Sequence, residues 1–347
     1  MKFFLQPWQS VLIILAGCRP LHASQKVRRI MSCLFLTEQD VAELIDMPRS
    51  IEIVEEAFRQ MAAGRVHNVP RTRAMGPGII LHSMSASAEY LGLIGWKNYT
   101  TTRQGMLFHV AAYDIESGEM QILIEANLLG QLRTGAATGV ATRHMSRESS
   151  STVGLLGTGL QARTQLMAVC AVRKIERVEV FGRDEDRRRR FAEEMCKECQ
   201  TEVVPVSSSQ EAVSGKDIVI AATSSKTPVF VGTDLAEGTH VNAIGGNFLQ
   251  KTEVDEETIR RSGTIVCDSI EQCRIEAGEF VASLNEGLVS WDSMSDLSDV
   301  VAGRNAGRKS DDEITFFKSV GLAMEDIAMA GELLKQAREQ GRGSRAL

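Results

Sequence analysis

No disulfide framework is written into this chain. Its seven cysteines, Cys18, Cys33, Cys170, Cys196, Cys199, Cys267 and Cys273, are odd in number and scattered in spacing, unlike the paired pattern of a small oxidised scaffold. Cys196 and Cys199 form a lone C-x-x-C in a charged helical stretch with no second pair and no nearby histidine, so no metal site is expected. Basic excess is also missing: 39 Lys and Arg stand against 45 Asp and Glu, a net charge of −6, which leaves no general nucleic-acid surface. The apolar run at residues 11–17 is too short to span a bilayer, and neither internal repeats nor long low-complexity tracts occur. What is present, 43% hydrophobic and 24% charged residues over 347 positions, is the make-up of a globular protein with room for two domains.

One stretch carries most of the information. Thr152-Val153-Gly154-Leu155-Leu156 reads as a short apolar strand, and Gly157-Thr158-Gly159-Leu160-Gln161-Ala162 as a glycine turn opening a helix. This is G-x-G-x-x-A in the setting that binds a dinucleotide. Gly157 permits the tight turn, Gly159 lets backbone approach a pyrophosphate, and Ala162 lets the helix pack on the strand. The phosphates would rest on the free N–H groups at the helix N-terminus.

The residues before the turn divide into two blocks. Thr37 to Asp40 looks like a helix N-cap with an acidic N3 residue. A second helix starts near Pro48 and shows Ile51, Val54, Phe58 and Met61 on one face, with Gly64 to end it. Residues 70–124 change period and read as strands of a mixed or antiparallel sheet, with a turn at Glu116-Ser117-Gly118. Residues 126–145 read as helix and 147–151 as a linker. From Thr152 onward strands at 153–156, 178–181, 202–204, 218–221, 241–244 and 264–267 alternate with helical patterns, which is a doubly wound parallel sheet. Residues 320–338 form a long amphipathic helix. The expected class is therefore α/β: a Rossmann doubly wound parallel sheet over residues 151–310, plus a discontinuous α+β domain made of residues 31–150 and 311–347.

Residues 1–30 are set apart. Leu15-Ala16-Gly17-Cys18 resembles a lipoprotein signal site, following Lys2 and a short apolar run. The competing reading starts translation at Met31 and makes the leader a mis-assigned start. The reduced look of the cysteines and the need for a dinucleotide pool favour the second, with a cytoplasmic location. No membrane association is expected unless the Cys18 leader is real, and on either reading residues 1–30 lie outside the fold.

Four segments, in order and spacing, resemble the ornithine cyclodeaminase/mu-crystallin family over residues 31–335. They are Leu132-Arg133-Thr134-Gly135-Ala136-Ala137, the loop from Gly157 to Ala162, Asn242-Ala243-Ile244-Gly245-Gly246-Asn247, and Phe317-Lys318-Ser319-Val320-Gly321 with Glu325-Asp326. The resemblance implies a homodimer formed through the first domain, which also takes the substrate. It also implies chemistry on amino or imino acids: ornithine cyclisation, alanine dehydrogenation or imine reduction.

An amino or imino acid needs a cation for its carboxylate, a proton donor or acceptor near the reacting carbon, and a bare path for hydride. Arg133 is the leading carboxylate clamp, because guanidinium grips carboxylate with two hydrogen bonds and this one sits among small uncharged neighbours. The family places a substrate-contacting lysine at Lys97, which would share the carboxylate or act as general acid if burial lowers its pKa. Arg71 matches the other basic substrate residue, with Arg73 as its near alternative. Two positions depart from ornithine cyclodeaminases. Asn247 stands where they resemble one another in having aspartate, and His82 where they carry glutamate, so both acids suited to a diamine are missing. A less cationic substrate is expected, with Lys97 or a water held by Asn247 handling the proton.

NAD enzymes usually end the second strand of the nucleotide fold with an acid for the ribose diol. Here Phe181 is followed by Gly182 and Arg183, with Arg187 one turn on, so NADP(H) is favoured over NAD(H). Thr223 and Ser224 would edge the nicotinamide ribose, and Gly245 and Gly246 would bring backbone close to the nicotinamide. The expected protein is an NAD(P)-dependent enzyme moving hydride at the α-carbon of a small amino or imino acid. Its rivals are an ornithine cyclodeaminase and a mu-crystallin-like protein that binds NADPH and a ligand without turnover.

Overall fold

Residues 66–125 alternate between inward and outward positions, and five antiparallel strands result: Val66–Gly76, Ile79–Ala88, Leu93–Thr102, Gly105–Asp114 and Met120–Glu125. The computed structural model describes residues 33–345, so the readings made on residues 1–30 lie outside it. Along Leu93–Thr102 residues Leu93, Gly95, Lys97 and Tyr99 are buried and those between are not, as a half-buried strand requires. Short strands Leu34–Leu36 and Ser344–Arg345 extend this sheet to seven. Three strands of this sheet went unread in the sequence: Leu34–Leu36 and Ser344–Arg345, which are three and two residues long, and Val66–Gly76, whose polar outer positions and Pro70 mask its period.

The second sheet is parallel, in the order Ser295–Asp296, Ser262–Cys267, Ile314–Lys318, His240–Ala243, Ile218–Ala221, Thr152–Leu156, Arg177–Phe181 and Glu202–Pro205. Ile218–Ala221, His240–Ala243 and Ile314–Lys318 are buried at every position, because helices cover both faces. Ile314–Lys318 corrects the boundary expected at residue 310. It pairs with both Ser262–Cys267 and His240–Ala243, so the parallel sheet continues through Lys318. Ile314–Lys318 follows a long stretch of short helices and turns rather than a regular βα alternation, so its short apolar run did not stand out.

Helix Asn127–Met145 is buried on almost every side, as expected of a helix without a polar stripe. It packs between Met47–Ala62 and Leu160–Val172. Thr37 and Asp40 form the capping box read from the sequence, and Asp46 caps the Pro48 helix. The last helix, Ala323–Gln340, lies on the antiparallel strands and on Met47–Ala62. It starts three residues later than Val320. The Asp268 carboxylate accepts from Ser319 Oγ at 2.9 Å and from the backbone N–H of Val320 and Gly321 at 2.7 Å each, which keeps that segment out of the helix. No helix among the described residues is long and apolar enough to cross a membrane.

Candidate active site

A cleft of about 990 Å³ opens at the carboxyl ends of the parallel strands and runs to the buried face of the antiparallel sheet. Its first wall is the glycine turn. Gly157 has φ +115°, and a Cβ there would fall 2.3 Å from the Ala222 carbonyl oxygen. Gly159 caps helix Leu160–Val172 without any side-chain cap, and a Cβ on it would meet nothing within 4 Å. The first-turn N–H groups of that helix therefore face open space, the arrangement that accepts a phosphate. Ala162 is fully buried behind the turn. Thr158, Leu160, Gln161, Gly182, Arg183, Arg187, Thr223, Ser224 and Gly245 line the same cleft. Arg183 and Arg187 are exposed at its mouth, and Arg187 Nε donates to the Thr158 carbonyl at 3.1 Å.

Gly246 lies just behind the lining. Its carbonyl accepts from Lys318 Nζ at 2.8 Å, and Lys318 also pairs with Glu279 at 2.9 Å. Lys318 thus fixes the paired-glycine loop from below. Glu253 does the same from the side: one oxygen accepts from Thr223 N and Oγ1 at 2.6 Å each, the other from Gly245 N. Burial pushes the Glu253 carboxyl up to about 7 against these hydrogen bonds.

The substrate half holds three cations read from the sequence, and the fold brings all three to the cleft wall. None is bare. Arg71 pairs with Glu276 and donates to the Val320 carbonyl at 2.9 Å. Lys97 Nζ donates to Asp326 Oδ1 at 2.7 Å. Arg133 donates to Glu325 Oε2 at 2.7 Å, with its Nε 3.3 Å from Asp326 Oδ1. Full burial and the neighbouring Arg133 charge bring the Lys97 ammonium down to about 8, against the pull of Asp326. The Arg133 guanidinium is held more firmly charged than usual by Asp326 and Glu325 despite burial. Arg73, the alternative to Arg71, sits behind the lining residues Asn247 and Phe248: it donates to Glu276 at 2.6 Å and to the Asn247 carbonyl at 2.8 Å, and its guanidinium lies 4.3 Å from the Phe248 ring.

An aromatic wall faces these cations. His82 stacks on Tyr99 at 4.1 Å, Tyr99 on Phe108 at 4.7 Å, and Phe248 meets His82 edge-on at 6.4 Å. Burial, with Arg73 and Arg71 nearby, lowers His82 to about 4, so it is a neutral ring at physiological pH. Asn247 lines the cleft beside it. Among the described residues that line the cavity, Asp184 is the one carboxylate, against Arg71, Lys97, Arg133, Arg183, Arg187 and Lys251. No described cluster of His, Cys, Asp and Glu is arranged to hold a metal ion.

Sequence reasoning did not assign Glu276, Glu325, Asp326, Asp268, Glu253, Tyr99, Phe108 or Phe248 to the site. One signal was available: Glu325-Asp326 interrupts an otherwise apolar run, Val320 to Ala330, and two adjacent acids there require buried partners.

A sequence profile of the ornithine cyclodeaminase/mu-crystallin family matches residues 31–341. A Delta(1)-pyrroline-2-carboxylate reductase of Bacillus cereus is 33% identical over 90% of this chain and 99% of its own length. An alanine dehydrogenase of Archaeoglobus fulgidus is 33% identical over 91% and 98%. Among solved structures, Thermococcus litoralis Delta(1)-pyrroline-2-carboxylate reductase in complex with NADH and L-proline has a TM-score of 0.86 and 35% identity, covering 90% of this chain and all of the other.

Proposed function

The chain belongs to the ornithine cyclodeaminase/mu-crystallin family, and from that premise we propose that it is an NAD(P)-dependent reductase of a small imino acid, of the pyrroline-2-carboxylate or acyclic imine type. The observation that carries this reading is the charge of the cleft. Arg71, Lys97 and Arg133 line its substrate half with their carboxylate partners Glu276, Asp326 and Glu325 behind the lining, and the positions facing the cations are a neutral His82, Asn247 and aromatic rings. Such a wall receives an anionic planar ring and offers no acid for the side-chain ammonium of a diamine. That disfavours ornithine as substrate, although the same cations would hold its carboxylate.

Arg133, Arg71 and Lys97 fix the substrate carboxylate, and the ring lies against His82 and Tyr99. A reduced nicotinamide held beside Thr223 and Gly245 would supply the hydride that the α-carbon accepts. Lys97, lowered by burial yet still protonated at neutral pH, is placed to give the imine nitrogen its proton, so the C=N bond becomes a C–N single bond as carbon gains hydride. Gly245 and the Thr223 segment, both anchored on Glu253, shape the wall on the nicotinamide side. The uncapped helix after Gly159 holds the pyrophosphate.

Gly182 leaves the adenosine ribose without the usual carboxylate, and Arg183 and Arg187 flank it. This supports a preference for NADP(H), which replacing both arginines by alanine should reverse; equal affinity of the wild type for NADH and NADPH would overturn the preference. The reading extends to a cytoplasmic homodimer. The outer face of the antiparallel sheet exposes Val69, Ile79, Leu81, Ile94 and Leu107, which a second subunit would cover.

The direct test follows NADPH and NADH absorbance with cyclic and acyclic imino acids while ornithine is run with an ammonia assay. Oxidation of reduced cofactor by an imino acid supports the reading. Ammonia from ornithine with catalytic NAD, and no imine reduction, would replace it by a cyclodeaminase.

A further inference from the structure

Glu325, like Asp326 and Glu279, is a half-satisfied acid beside the cleft. Its Oε2 accepts from Arg133 NH1 at 2.7 Å, while Oε1 is buried with no hydrogen-bond partner. Arg133 in turn has its NH1 and NH2 edge pressed under Gly321, where φ is +82° and a Cβ would come within 2.5 Å of NH1. That edge faces both the cleft and Glu325.

The groups around Glu325 come from four elements. Asp326 follows it on its own helix. Arg133 reaches it from helix Asn127–Met145, Asp268 from the end of strand Ser262–Cys267, and Lys97 from strand Leu93–Thr102 through Asp326. Three carboxylates thus meet two cations even before a substrate arrives. A bound substrate carboxylate would be a fourth anion in a buried site, which is strongly unfavourable unless one group is neutralised. Asp268 is committed, since its two oxygens accept from four N–H and O–H donors. Asp326 serves both Lys97 and Arg133 through Oδ1. Both acids keep one unpartnered oxygen on which a proton fits, but neutralising Asp326 would strip two cations of their partner, whereas Glu325 serves Arg133 alone.

We propose that Glu325 is a positioning residue that exchanges its charge for the substrate's: it is ionised on Arg133 in the free enzyme and takes up a proton when the substrate carboxylate claims that guanidinium. Burial, with Asp268 and Asp326 nearby, already pushes Glu325 up to about 7. A further anion raises it again, so binding near neutral pH carries a proton with it. The inference rests on the reading of the cleft as a carboxylate site.

The test is calorimetric titration of the cofactor-loaded enzyme with pyrrole-2-carboxylate, a planar ring acid that cannot accept hydride, in phosphate and in Tris at pH 8. Different buffer ionisation heats report proton uptake. The wild type should take up between about half and one proton per site, and its Kd should weaken roughly tenfold per pH unit above 7. Glu325→Gln should lose the weakening between pH 7 and 8 and keep only the smaller fraction of a proton that Lys97, lowered to about 8, takes up. An infrared difference spectrum of the wild type, which needs no variant, should gain a neutral-carboxyl band on binding. Binding without uptake overturns this inference and leaves the carboxylate site standing. Uptake without a neutral-carboxyl band puts the proton on Lys97 and also overturns it, as does Glu325→Gln retaining the full uptake. Absence of binding at every pH overturns the carboxylate reading itself.

Discussion

Arg133 is buried with a side chain 8% exposed, and its nearest carboxylate, Glu325, is fully buried. A guanidinium kept there is retained for what it meets in the cleft, since a buried ion pair adds little net stability over apolar packing. Replacing Arg133 by Met should raise KM sharply and lower kcat/KM by about 2–4 kcal/mol, or roughly 30- to 1000-fold. Unchanged steady-state kinetics would remove it from the substrate site. The fold should tolerate the change, because Glu325 left alone can stay protonated. Lys97 gives a second test at this scale. Its ammonium, lowered to about 8, is the acid form needed by an imine, so kcat/KM should fall as pH rises through about 8 and be flat with respect to Lys97 below it. A rate that climbs above pH 8 would give Lys97 the opposite role, that of a base.

The glycine turn separates two kinds of glycine. Gly157 holds a left-handed backbone against the Ala222 carbonyl, whereas Gly159 has an ordinary extended backbone and empty space in front of it. Gly157→Ala should therefore destabilise the fold by about 1–3 kcal/mol. Gly159→Ala should leave Tm nearly unchanged yet weaken cofactor binding at least tenfold, because its methyl would occupy the pyrophosphate position. Thermal melts with and without NADPH distinguish the two; a Gly159→Ala protein that binds cofactor normally would remove the phosphates from this turn. The turn was legible in the sequence because everything it needs lies within eleven consecutive residues, Thr152 to Ala162. Most strands were legible, including Ile218–Ala221 and His240–Ala243, which are dry on both faces but lie between helical patterns in a regular βα alternation. Ile314–Lys318, which follows short helices and turns, was not, and the nucleotide sheet was cut short at residue 310.

The counter-charges of the site belong to the scale of the whole molecule. Arg71 finds Glu276, Lys97 finds Asp326 and Arg133 finds Glu325 across sequence separations of 205, 229 and 192 residues. No local pattern announces such pairs; they exist because the terminal helix returns to the antiparallel sheet and because the Ile270–Glu276 helix abuts strand Val66–Gly76. The cations could be picked out by type and setting; of the acids that tune them, Glu325 and Asp326 betray their burial by interrupting an apolar run, but which cation each meets is not written locally. The exposed apolar face of the antiparallel sheet belongs to this scale too. The protein should elute as a dimer, and Leu81→Glu with Leu107→Glu should shift it to monomer; a wild-type monomer would leave that face without its proposed partner.

Hydride delivery to the α-carbon of an imino acid is the account's central claim. The most direct measurement uses NADPH deuterated at the nicotinamide C4 with pyrroline-2-carboxylate and reads the product by mass spectrometry and proton NMR. The account predicts proline carrying one deuterium at the α-carbon for each NADPH oxidised when the transferred position is labelled. Product without label at that carbon, or an enzyme that leaves every imino acid untouched while releasing ammonia from ornithine, would contradict it.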